Sequence, residues 1–211
     1  MRKIIIIFTL VNSALGLKAQ PPGYTPLPDL VKFKQQFTAI AKQTESIKSD
    51  FSQEKNVSML SEKILSEGKF WFKKDNLLRM EYTKPFAYLI ILNKDNMYIK
   101  DGKNENKVSV RSNKTFQQIN KIIVDCVQGT VFNSPDFATS VYENKGNYLV
   151  ELSPTAKGLR EFFKSIDVII DKKDYSVSSI DMNESSGDNT IIHFTNRALN
   201  TPIPDALFAI K

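Results

Sequence analysis

Between residues 68 and 85 the chain reads Gly-Lys-Phe-Trp-Phe-Lys-Lys-Asp-Asn-Leu-Leu-Arg-Met-Glu-Tyr-Thr-Lys-Pro, two alternating apolar runs joined by a short polar turn. Successive side chains of a strand point to opposite faces, so Phe70 and Phe72 share a side with Gly68 while Lys69, Trp71 and Lys73 take the other. Beyond the Asp75-Asn76 turn, Leu78, Met80 and Tyr82 alternate in the same way with Leu77, Arg79 and Glu81. Such a hairpin is a piece of sheet with one greasy face, and that face needs a cover: another sheet, a helical layer or a ligand.

The same period of two runs through most of the chain. Residues 46–58, 62–73, 76–83, 87–93, 96–101 and 105–111 read as consecutive strands with tight polar connections, which makes an antiparallel meander. A second group follows at 138–144, 147–153, 163–171, 175–183 and 188–195, and then an extended tail containing Phe208. Two stretches switch to helical spacing. Asp29 caps a helix running to about Thr44, with Leu30, Phe33, Phe37, Ile40 and Ala41 on one stripe. Another spans 114–128, with Phe116, Ile119, Ile123 and Val127 in register and Gly129 as its stop. Eleven strands cannot stay flat, because twist and bare edges drive a large sheet to curl or be covered. The pattern therefore predicts an α+β, mainly β fold: a half-open, strongly curved antiparallel β-barrel of about eleven strands, lidded by α-helices over its concave side with an apolar space between.

The N-terminus has the form of an export signal. Arg2 and Lys3 precede an apolar run over residues 4–17, and Ala19 stands just before Gln20 and two prolines. The run is short against the roughly 20 residues that a membrane-spanning helix needs. Residues 1–20 read as a cleaved signal peptide and 21–211 as a single domain outside the cytoplasm. Removing the leader takes away Arg2, Lys3 and Lys18 and no acid, which lowers the formal net charge from +6 to +3. Nucleic-acid binding loses its support with that change, since the remaining cations are interspersed with acids. The Glu54-Lys55 and Lys73-Lys74 charges read as a solvated outer face.

Nothing in the chain assembles a reaction centre. Cys126 is the only cysteine and sits in the apolar context Ile122-Ile-Val-Asp-Cys-Val127, as a small buried hydrophobe does. His193 is the only histidine and alternates with Ile192 and Phe194. There is no Cys-x-x-Cys, no glycine-rich phosphate loop and no Gly-x-Ser-x-Gly, so neither metal, cofactor nor enzymatic activity is expected.

An ordered set of short motifs adds a family likeness over nearly the whole of residues 21–211. The set is Phe51-Ser-Gln-Glu-Lys55, Gly68-x-Phe-Trp-Phe-Lys-Lys74, Leu78-Arg-Met-Glu-Tyr82 with Pro85 after it, Leu152-Ser-Pro154, Ile166-Asp-Val-Ile-Ile-Asp171 with Val177-x-x-Ile180, Gly187-x-x-Thr190, and Phe194-x-Asn196. Together these motifs resemble the periplasmic outer-membrane lipoprotein carrier (LolA-like) family, most closely its branch in Bacteroidetes-type bacteria. The resemblance implies a lidded half-barrel whose cavity takes the acyl chains of a lipoprotein or related lipid. It also implies a monomer that receives cargo from an inner-membrane lipoprotein-releasing transporter and passes it to an outer-membrane acceptor. The wall of that cavity is expected from Phe70, Phe72, Leu78, Met80 and Tyr82, with Ile90 and Leu92 on the next strand and Ile119 and Ile123 as lid contacts. Lys74 stands where well-studied members carry an arginine that latches the lid, Asp75 replaces the family's proline, and Asn93-Lys94 replaces its Asp-Gly turn. Lysine keeps the charge without the planar multi-donor fork. A related alternative is a sensor of lipid or lipoprotein in envelope-stress regulation that uses the same half-barrel, and another is a carrier of a different lipid.

Overall fold

The computed structural model describes residues 20–94, 96–102, 104–109 and 114–210; all of the expected signal peptide but its last residue, Gln20, lies outside the described residues, as does the side chain of Phe116. A two-residue strand β1 (Thr25–Pro26) precedes helix α1 (Leu30–Gln43). Six strands follow as the expected meander: β2 (Ser46–Asn56), β3 (Ile64–Lys73), β4 (Leu77–Lys84), β5 (Tyr88–Asn93), β6 (Asn96–Asp101) and β7 (Asn104–Ser109). Helix α2 (Lys114–Gln128) leads to β8 (Phe137–Glu143) and β9 (Asn147–Pro154). A one-turn helix α3 (Lys157–Arg160), which the periodicity does not reveal, comes before β10 (Phe163–Asp171), β11 (Val177–Glu184) and β12 (Asn189–Leu199).

All the strands join one antiparallel sheet in the order β1-β8-β9-β10-β11-β12-β2-β3-β4-β5-β6-β7. Eleven of its strands have six residues or more. β1 and β7 are its two edges, so the curved sheet does not close on itself. The two meanders meet at its centre, where β12 pairs with β2 through Ile192↔Gln53 and Phe194↔Phe51.

The concave face carries the main core. Phe70, Phe72, Leu78, Met80, Ile180, Met182 and Ile192 bury against Phe33 and Phe37 of α1 and Ile122, Ile123 and Cys126 of α2. The Asp29 carboxylate caps α1 by accepting from the Lys32 backbone N–H at 2.9 Å. Gly129 ends α2 with φ 70°, a left-handed conformation that L side chains rarely adopt. A Cβ there would also lie 3.0 Å from that of Ala41, so the glycine lets the two helices approach.

The convex face differs from a plain wet surface. Trp71, Ile91 and Tyr98 form a second, smaller core with Ile203 and Phe208 of the tail, which folds across β3–β6 through a 3-10 turn at Asp205–Phe208. Arg79 donates to the Leu207 carbonyl at 3.1 Å and stacks over Trp71, Asn93 donates to the Phe208 carbonyl, and Lys73 pairs with Asp205. The tail is thus a strap whose apolar residues complete the outward side of the 68–85 hairpin.

Candidate functional site

Among the described residues, two spaces stand out between sheet and helices. The smaller, about 30 Å³, lies beneath α1 and the end of α2 and is lined by Phe37, Ile47, Phe70, Cys126, Val127 and Phe194. Burial pushes the Cys126 thiol well above the usual cysteine range. Among the described residues, the Ser49 hydroxyl on its wall is buried without a hydrogen-bond partner.

The larger space is a cleft of about 430 Å³ at the end of the barrel where β2, β4 and β11 finish and β3, β5 and β12 begin. Its size falls within the range of small-molecule sites, roughly 300–1,000 Å³. Met80, Ile90, Met182 and Ile192 make its floor, and Ile119 and Ile123 of α2 overhang it. These positions follow from strand alternation, since each shares the concave face with its neighbours in the ladder (Met80↔Ile90). Tyr82 forms part of the wall: its ring packs edge-on against Phe51 and Tyr88, and its hydroxyl donates to Gln53 Oε1 at 3.0 Å. Burial raises its phenol far above the ordinary tyrosine value, so it remains a neutral donor.

The mouth is polar. Lys55, Lys84, Asp101, Glu184 and Thr190 ring it. The sequence pattern puts Lys55 on the wet outer face, but alternation separates it from Glu54: Phe51, Gln53 and Lys55 share the concave side, while Glu54 turns outward to Lys63 at 2.9 Å. Large apolar side chains stand in solvent on two loops at this end, Met59 at 93% exposure and Phe86, which lines the cleft, at 79%.

Of the residues named from the sequence, Met80, Tyr82, Ile90, Ile119 and Ile123 border the cleft. Phe70 borders the smaller space, and Phe72, Leu78 and Leu92 are buried in the core without reaching either. Met182, Ile192, Gln53, Lys55 and Glu184 are lining residues that the sequence reading leaves out. The signal is present in the alternation of β2, β11 and β12, but their neighbourhood depends on the β12–β2 pairing, which no local pattern reveals.

Lys74 lies at the tip of the β3–β4 hairpin, away from the cleft. Its Nζ donates to Glu45 Oε1 at 2.6 Å and to the carbonyl of Lys42, in the last turn of α1, at 3.4 Å. Two residues on, Asn76 accepts from Gln128 Nε2 at the end of α2 at 3.1 Å. One turn therefore touches the C-terminal ends of both helices. Its backbone is held at positive φ by Asp75 (69°) and Asn76 (59°), residue types that tolerate that region.

Comparison with known proteins agrees with this architecture. The profile of the outer membrane lipoprotein carrier protein LolA family matches residues 42–211. The chain belongs to the LolA family. Among solved structures it is similar to an uncharacterized conserved protein from Thermus thermophilus, with TM-score 0.50 and 9% identity over 84% of this chain and 93% of that one. It is also similar to a LolA superfamily protein from Nitrosomonas europaea, with TM-score 0.48 and 12% identity over 84% of this chain and 97% of that one. No curated protein matches this LolA-family chain by sequence. Among the described residues, no helix is long and apolar enough to cross a membrane, and no group of three His, Cys, Asp or Glu side chains could hold a metal ion.

Proposed function

We propose that this LolA-family protein is a non-enzymatic periplasmic carrier that shields the acyl chains of a lipoprotein or related lipid and delivers them from the inner to the outer membrane. The observation that carries the reading is the cleft of about 430 Å³, with an apolar floor, an overhanging helix and a polar mouth. Each methylene buried there contributes about 0.8 kcal/mol, so a chain of ordinary length gains on the order of 10 kcal/mol and does not cross water unassisted. Delivery further requires that the carrier bind more weakly than the acceptor. Helix α2 supplies the means, because Ile119 and Ile123 already occupy part of the space a second chain would need. Entry of cargo then displaces the protein's own apolar contacts and uses up part of the burial energy.

The test is capture of a diacylated peptide by the purified protein. Met80→Glu puts a carboxylate on the floor, which water tolerates in an empty cleft and acyl chains do not. Met80 is buried, so Ile119→Glu, at a half-buried position on α2, serves as the companion variant. Both should lose capture while keeping a cooperative thermal transition. Undiminished capture by two folded variants would move the site elsewhere.

A further inference from the structure

On the concave face, strand alternation should place apolar groups inward all the way along, and for most of each strand it does. At the mouth two charges break the pattern. Lys55 follows Phe51 and Gln53 on the inner side of β2, and Glu184 follows Ile180 and Met182 on the inner side of β11. β12 runs between them and sets Thr190 directly opposite Lys55 in the ladder. Lys55 Nζ is 3.5 Å from Glu184 Oε1, and the same oxygen accepts from the Thr190 hydroxyl at 3.2 Å. The side chains are 36% and 22% exposed, so the pair is half withdrawn from water. Stability gives little reason for this arrangement: an exposed pair contributes about 0–1 kcal/mol, and a more buried one tends to lose to apolar packing. Lys84 and Asp101 add one further charge of each sign, so the rim is balanced.

We propose that Lys55, Glu184 and Thr190 form a head-group subsite that selects ligands whose polar end is a neutral amide over ligands ending in a carboxylate or a quaternary ammonium. This inference rests on the acyl-chain reading of the cleft. A secondary amide carries a donor and an acceptor side by side, and an ammonium beside a carboxylate offers the complementary donor and acceptor. The Gln53 side chain, next on the same face toward the floor, extends the polar wall. A free carboxylate placed there gains Lys55 but meets Glu184, and a cation gains Glu184 but meets Lys55, so for either charged head attraction and repulsion offset while the desolvation cost remains, a cost that a neutral amide does not carry. Selectivity then comes from balanced charge, while affinity comes from the apolar floor.

Three probes with one hexadecyl-length chain separate the two contributions: N-methylpalmitamide, palmitate and hexadecyltrimethylammonium, each titrated calorimetrically below its micelle threshold into the full-length protein. The amide should bind about tenfold more tightly than either charged probe. Glu184→Gln should raise palmitate affinity about tenfold and Lys55→Gln should do the same for the ammonium, each narrowing the amide's advantage over that probe. Equal binding of all three to the unmodified protein, or a rank order that neither substitution changes, overturns the subsite and leaves the acyl-chain reading standing. Failure of every probe to bind overturns both. A charged probe that binds the unmodified protein as tightly as the amide overturns the subsite by itself, so the proposal stays refutable even if neither variant folds.

Discussion

Replacing Gly68 with alanine should do damage out of proportion to one methyl group. Gly68 lies in β3 opposite Tyr82, beneath the ring of Phe51. A Cβ built there would lie 2.2 Å from the Glu81 carbonyl oxygen and 2.7 Å from two carbons of the Phe51 ring. Real Cβ contacts essentially never fall under 3.0 Å, so β3 and β4 must part by at least about 0.8 Å or Phe51 must leave its seat. Phe51 is buried and packs on Tyr82, and the carbonyl is backbone in a ladder, so neither gives way freely. Overpacking costs about 1–3 kcal/mol and each ladder hydrogen bond that stretches costs about 1 more, for a total near 3 kcal/mol. That is a large share of the roughly 5–15 kcal/mol that holds a domain together. With a urea slope of about 2 kcal/mol per molar, the unfolding midpoint should drop by about 1.5 M. Trp71, the only tryptophan, sits three residues along the same strand and is nearly buried, so its fluorescence reports the transition. Gly146→Ala is the control: nothing lies within 4 Å of its Cβ position, and its midpoint should move by less than about 0.25 M. A Gly68→Ala midpoint within that same margin would refute the steric argument.

The Cys126 thiol, buried and pushed above its ordinary range, should alkylate with iodoacetamide at pH 8 about a hundredfold more slowly in the native protein than in urea, and cargo that lifts the helices should accelerate it. Lys74→Leu should change stability by less than about 1 kcal/mol, since its ion pair with Glu45 is half exposed; if the hairpin tip restrains α1, the variant should load a diacylated peptide normally and release it more slowly to acceptor membranes, which separate loading and release assays would resolve. Asp188 is held below the usual carboxylate value of 3.8 by the Ser58 backbone N–H and hydroxyl, and Asp50 by the Asn196 amide and Lys69. Their native pKa is depressed, so their contribution is present above that value and is lost as pH falls through the lower native one; thermal melts of Asp50→Asn with Asp188→Asn should therefore depend less on pH below 4 than melts of the unmodified protein.

Local features are the legible ones. The 68–85 hairpin, the Asp29 cap and the Gly129 stop each depend on residues a few positions apart, and each is found where its pattern puts it. The misreadings concern partners that lie far away in the chain. Alternation assigns Trp71 to the outer face correctly, yet its partners Ile203 and Phe208 come more than 130 positions later in an irregular tail without periodicity. Lys55 and Glu54 read as one charged pair in the sequence, although a strand splits neighbours between faces. Its true partner, Glu184, is two strands away in the sheet but 129 residues away in sequence. For the cleft, the β4–β5 wall and its α2 overhang can be named in advance, while the β11–β12 wall waits on the sheet order.

That sheet order also fixes the time course of folding. Each meander is a chain of hairpins, and hairpins of this kind form in about 1–10 µs because their ends are close. The seam between β12 and β2 is different: Ile192 meets Gln53 and Phe194 meets Phe51 only after about three quarters of the domain's length has been looped back. Loop closure of that span is entropically costly, and sheets dominated by distant pairings fold in milliseconds to seconds. Until the seam zips, β2 and β12 are both bare edges with apolar inner faces, open to pairing with another chain. The most vulnerable species on the folding route is therefore a pair of half-sheets, and a chaperone that keeps those two edges apart from other molecules would protect it best.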